Sequence, residues 1–73
     1  MVKVLTLNIA GASLPGKRLA ILNSLKDNDV DIACMQEVTF KRCEHLESAY
    51  TLLVNLGPKK RGTALLVRHG LQI

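Results

Sequence analysis

Seventy-three residues with a formal net charge of +4, 48% of them apolar and 22% charged, make at most one small domain. This composition lies far from the disordered regime and biases the chain toward polyanionic partners. The aromatic residues are Phe40 and Tyr50 alone, 3% of the chain, which argues against a single-strand binder built on stacked aromatic platforms. No apolar run approaches the length of a membrane span, so neither a membrane nor an export role is expected.

From Val2 to Ile9 the residues Val, Leu, Thr and Ile dominate and predict a strand with Asn8 near its carboxyl end. Ala10 to Gly16, small and turn-forming, reads as a loop. Between Lys17 and Lys26, Ile21, Leu22 and Leu25 share a helical face with the stem of Arg18, and Asp27, Asn28 and Asp29 supply the stop. After Asp31 the run Ile32, Ala33, Cys34, Met35 is continuously apolar, as in an interior strand buried on both faces, and ends in Gln36 and Glu37. Thr39 to Ala49, which contains Lys41, Arg42, Glu44, His45 and Glu47, suits an exposed turn or short helix. Tyr50 to Leu56 and Thr63 to Arg68 are β-prone, and the basic turn Gly57 to Gly62 makes them a hairpin. Cys34 and Cys43 lack the spacing of a zinc pair, and in a chain read without a secretory leader they predict reduced thiols, Cys34 in the core and Cys43 on the surface. The setting expected is intracellular and reducing, the nucleus included.

Strand, helix and buried strand in this length make a βαβ unit with parallel strands, which places Asn8 and Glu37 at the same sheet end. Ligands of open α/β sheets gather outside the carboxyl ends of strands, so the two form a candidate paired site. A carboxylate at the end of a buried strand is costly unless it is paired, hydrogen-bonded or bound to a cation. For phosphodiester hydrolysis a hard cation such as Mg2+ is apt, and the Asn8 amide can donate to phosphate oxygen or orient a carboxylate. The alternative is that Glu37 projects into solvent and Asn8 caps the loop. The glycine spacing of Gly57 to Gly62 is not a nucleotide-binding loop, because Thr63 stands where Lys belongs and a strand follows. His45 and His69 are isolated and read as surface residues.

The blocks Val4, Leu5, Thr6, Leu7, Asn8, Ile9 and Asp31, Ile32, Ala33, Cys34, Met35, Gln36, Glu37 resemble the first two signatures of the endonuclease/exonuclease/phosphatase superfamily. A third, Arg61, Gly62, Thr63, Ala64, Leu65, Leu66, Val67, Arg68, is similar to its next glycine-led strand, most like the endonuclease domains of non-LTR retrotransposons. The resemblance implies a partial domain over residues 1–73: an α/β fold of βαβ unit and β-hairpin that opens a four-layered α/β sandwich. It implies a Mg2+- or Mn2+-dependent phosphodiesterase acting on nucleic acid, with Glu37 as metal-binding carboxylate and Asn8 as active-site amide. A phosphatase or lipid phosphodiesterase belongs to the same superfamily. Many members carry an acidic or amide residue where this chain has Ala10. The family's active-site Tyr, its Asp and Asn pair and its closing Asp and His lie in later sequence, so the resemblance covers roughly the first third of a family domain. The chain alone is accordingly expected to be inactive and to self-associate through its uncovered sheet. The alternative is a non-catalytic remnant or small basic α/β binding module.

Overall fold

The computed structural model describes residues 2–11, 15–57 and 62–71. Its elements are strand β1 (Val4–Gly11), helix α1 (Pro15–Asp27), strand β2 (Ile32–Val38), the single turn α2 (Glu44–Glu47), and strands β3 (Tyr50–Leu56) and β4 (Gly62–Arg68). They build an α/β protein with one mixed four-stranded sheet, ordered β1-β2-β4-β3. β1 and β2 pair in parallel, with Val4 opposite Ile32 and Asn8 opposite Gln36. β4 runs antiparallel to both β2 and β3.

Local sequence explains the bounds. Helix α1 starts at Pro15, where the missing N–H costs nothing because the first turn has no acceptor for it. It ends in a Schellman motif: the Val30 N–H donates to the Leu25 carbonyl at 3.0 Å and the Asp29 N–H to that of Lys26 at 3.1 Å. Asp29 takes the left-handed conformation (φ 52) that the motif requires, and Leu25 and Val30, both fully buried, make its hydrophobic contact. At the far end of the hairpin Gly62 lies so close to β3 that a Cβ there would fall 1.8 Å from the Asn55 carbonyl oxygen, which only glycine avoids. The basic turn residues Lys59, Lys60 and Arg61 lie outside the described residues.

The core lies on one face of the sheet. Leu22 and Leu25 of α1 and Leu46 of α2 pack against Ala33, Met35, Ala64 and Leu66, all buried. Each fully buried leucine contributes on the order of 1.5–3 kcal/mol of transfer free energy. Arg18 lays its guanidinium 4.6 Å from the centre of the buried Phe40 ring, so its stem belongs to the apolar face as its spacing predicts.

Three expectations need correction. β2 is an interior strand but is not buried on both faces: Ala33 and Met35 meet the helices, while Ile32 and Cys34, of opposite parity, stay half-buried. The cysteines exchange places for the same reason. Cys34 lies on the uncovered face, and Cys43, which precedes α2, is buried beneath it. The Glu47 carboxylate fixes that junction by accepting the Cys43 N–H at 2.9 Å while pairing with Arg42 at 2.9 Å. The segment from Thr39 to Ala49 is therefore not simply exposed. Phe40, Cys43 and Leu46, three residues apart, are core residues hidden among charges, although only Leu46 lies in the helical turn.

Candidate functional site

Parallel pairing brings Asn8 and Glu37 to one end of the sheet, Glu37 one residue beyond the position opposite Asn8. Both strands are irregular there. β1 spends three residues, Asn8 to Gly11, where β2 spends two, Gln36 to Val38, and β2 in turn spends two where β4 spends one. The extra residues are Ala10 (φ 50) and Glu37 (φ 56), both left-handed. Neither residue type favours that region, which costs roughly 1–2 kcal/mol for an ordinary side chain. The surrounding ladder enforces it, because Ile9 and Val38 on either side of the bulges are buried core residues. Asn8 contributes directly: its Oδ1 accepts the Ala10 N–H at 3.1 Å, a local turn that holds the bulge. With the oxygen so engaged, Nδ2 is the group Asn8 can offer to a ligand.

On the uncovered face Asn8, Gln36, Thr63 and Asn55 stand in register across all four strands, an uncharged row of hydrogen-bonding side chains. The last three line a shallow groove of about 350 Å³ together with Cys34 and Leu53. The spacing of Asn8 and Glu37 points to this end of the sheet, but Asn55 lies in none of the resembling blocks, and Thr63, though in the third, is not marked by it as a site residue. Their membership follows from β4 lying beside β2. The one available signal is their symmetric placement about the hairpin turn.

The opposite end of the sheet is built from charge. The buried Asp31 carboxylate accepts the Lys3 N–H at 2.8 Å and pairs with the Arg68 guanidinium at 2.5 Å. The Lys3 carbonyl accepts the N–H groups of Asp31 and Ile32, and the Tyr50 hydroxyl donates to the Val30 carbonyl at 2.7 Å. Burial pushes the Tyr50 phenol above its ordinary range, with Arg68 pulling part of the way back. These groups satisfy one another and hold the chain. His69, exposed, follows Arg68 at this end, remote from Glu37, and His45 is exposed on α2.

As metal ligands the residues at the carboxyl end supply one carboxylate, Glu37, with the Gln36 carboxamide oxygen beside it, the Asn8 oxygen being taken by the Ala10 N–H. An all-oxygen set with few carboxylates fits in kind what Mg2+ takes while keeping much of its water. Among the described residues no three His, Cys, Asp or Glu side chains come together as a ligand group. No helix among them is long and apolar enough to cross a membrane. Comparison with models of protein families and with curated proteins found no match.

Proposed function

We propose that the carboxyl ends of β1 and β2 are part of a divalent-metal-dependent phosphodiesterase site of endonuclease type, with nucleic acid as the substrate class. The observation that carries this reading is the placement of Asn8 and Glu37 together on adjacent parallel strands, each beside a left-handed bulge residue or being one. In this reading β1, α1 and β2 form the βαβ unit of a larger four-layered sandwich, as in the endonuclease/exonuclease/phosphatase superfamily that the sequence blocks resemble. Glu37 anchors Mg2+ or Mn2+, and the ion, when bound, neutralises charge on a phosphate and lowers the pKa of a water. Asn8 donates through Nδ2 to a phosphate oxygen, its carboxamide held by the bond to Ala10. Gln36 and Thr63 extend the uncharged donor row along the strand ends. The positive net charge draws the polyanion toward the molecule.

A second reading, a non-catalytic α/β binding module, draws support from the uncovered sheet face, whose positions in register from Val4, Ile32, Val67 and Thr51 up to Asn8, Gln36, Thr63 and Asn55 carry no charge. Titrating the 73-residue chain with Mn2+ while following paramagnetic broadening of backbone amides separates the two. The metal-site reading expects Asn8, Gln36 and Glu37 to broaden first and Glu37→Gln to abolish the effect. Broadening centred on Asp29 and Asp31, or unchanged in Glu37→Gln, sinks it and leaves the binding module.

A further inference from the structure

The helical cover of the sheet has a step in it. α2 is a single turn, Glu44–Glu47, while β3, against which it packs, runs seven residues, Tyr50–Leu56. Tyr50, at the start of β3, is buried, but Leu52, Val54 and Leu56, which follow on the same side of the strand, are only half-buried. Beside Val54 and Leu56 lies a cavity of about 700 Å³, within the range of small-molecule sites and larger than the groove on the uncovered face. Its other walls are Thr39, Lys41 and Gly57.

The lining is apolar on one side and cationic on the other. Val54 and Leu56, two residues apart on one strand, make an apolar shelf about 7 Å long. Lys41 borders it, exposed and without a hydrogen bond or ion pair among the described residues, whereas the neighbouring Arg42 is committed to Glu47. The lining residues include no carboxylate, so an anion brought to Lys41 meets no like charge there. A cation at the edge of a short apolar shelf fits an anion that carries a ring: the ammonium donates to a phosphate, and the ring covers the shelf. The shelf is one ring system long and too short to cover an acyl chain. It also has a fixed relation to the carboxyl-end site. Thr39 follows Glu37 by two residues and Lys41 by four, so their Cα atoms lie at most about 7 and about 14 Å from that of Glu37.

We propose that this cavity is a nucleotide subsite, in which Lys41 takes a phosphate and Val54 and Leu56 take the base of a nucleotide next to the one at Glu37. The subsite deepens the phosphodiesterase reading and rests on it for its substrate class, but it uses no metal. With one cation and aliphatic rather than aromatic contacts it positions a strand rather than holding it, and a lone nucleotide binds with a Kd on the order of 1 mM.

Thymidine 3′,5′-bisphosphate, titrated into the 73-residue chain in the presence of EDTA and followed by backbone amide shifts, tests it. The expected shifts centre on Thr39, Lys41, Val54, Leu56 and Gly57. Inorganic phosphate and thymidine, the two halves of the ligand, should each bind at least about fivefold more weakly than the whole. Lys41→Gln, at an exposed position and with its fold checked by circular dichroism, should weaken the bisphosphate at least about fivefold and leave thymidine unchanged. Shifts centred elsewhere, or no approach to saturation by about 20 mM, overturn the subsite. So does inorganic phosphate binding as tightly as the bisphosphate, which leaves a bare cation, or dihexanoyl phosphatidic acid binding more tightly at the same residues, which gives the shelf to a lipid. Because no metal is present, the two readings fail separately. Loss of the Mn2+ broadening with the nucleotide shifts intact overturns the metal site and keeps the subsite, and broadening without nucleotide shifts does the reverse.

Discussion

The two ends of the sheet are made by opposite means. At the amino ends of β1 and β2 a buried carboxylate, a guanidinium, a phenol and main-chain groups are closed on one another within hydrogen-bonding distance. At the carboxyl ends the strands carry left-handed residues, mismatched ladders and a row of uncharged amides open to solvent. One end spends its polar groups on long-range bonds that hold the chain, and at the other the bonds of Asn8 and Gln36 are local, to Ala10 and Cys34. The contrast explains why the sole buried charged residue among those described, Asp31, is read as structural, while the half-buried Glu37 is read as functional.

Breaking the locked end should show the larger effects. Asp31→Ala removes the acceptor of the Lys3 N–H and the partner of Arg68. Because Arg68 is 54% exposed and can return to water, the cost should be about 2–3 kcal/mol, below the full penalty of a wholly buried broken pair. Urea unfolding measures it, and a change under about 0.5 kcal/mol would show that the cluster does not hold the sheet. Tyr50→Phe should cost about 1 kcal/mol by leaving the buried Val30 carbonyl without its donor. It should also alter the alkaline limb of the stability curve. Because the folded-state phenol titrates above its unfolded value of about 10, its contribution is fully present below that pH and is lost as pH rises through the raised value. The wild-type chain should therefore lose stability in that window while Tyr50→Phe does not lose this part; parallel curves would refute the assignment. The smallest effect belongs to the open end. Ala10→Gly relieves a left-handed alanine but adds unfolded-state entropy, for a net stabilisation of about 0.5 kcal/mol. A loss of stability would mean that the bulge is not strained at Ala10.

Much of the locked fold is legible in sequence because its signals are local. Helix α1 announces itself by Leu22 and Leu25 at helical spacing and by the Asp27 to Asp29 stop, and β2 by its apolar run. The strand–helix–strand order then places Asn8 and Glu37 at one end, which the parallel register bears out. The sequence reading goes astray where parity or distant pairing decides. An unbroken apolar run cannot tell that Cys34 faces away from the helices, nor can the charges around Cys43 reveal that it lies under α2. That Thr63 and Asn55 complete the row with Gln36 depends on β4, rather than β3, lying beside β2. That choice is made by contacts far apart along the chain.

The bonds around Lys3 also set how the molecule breathes. β1 is an edge strand, held on one side by β2, and its amino end is riveted through the Lys3 N–H and carbonyl to Asp31 and Ile32. Its carboxyl end has a bulge and a local turn instead. A strand fastened at one end and loosely laddered at the other opens like a flap, fraying from Asn8 toward Val4, because the lowest-energy openings break the fewest interactions. Hydrogen exchange should thus run as a gradient along β1, fastest beside Asn8. The separation between Asn8 and Glu37 is then the dimension of the sheet that such fraying changes first.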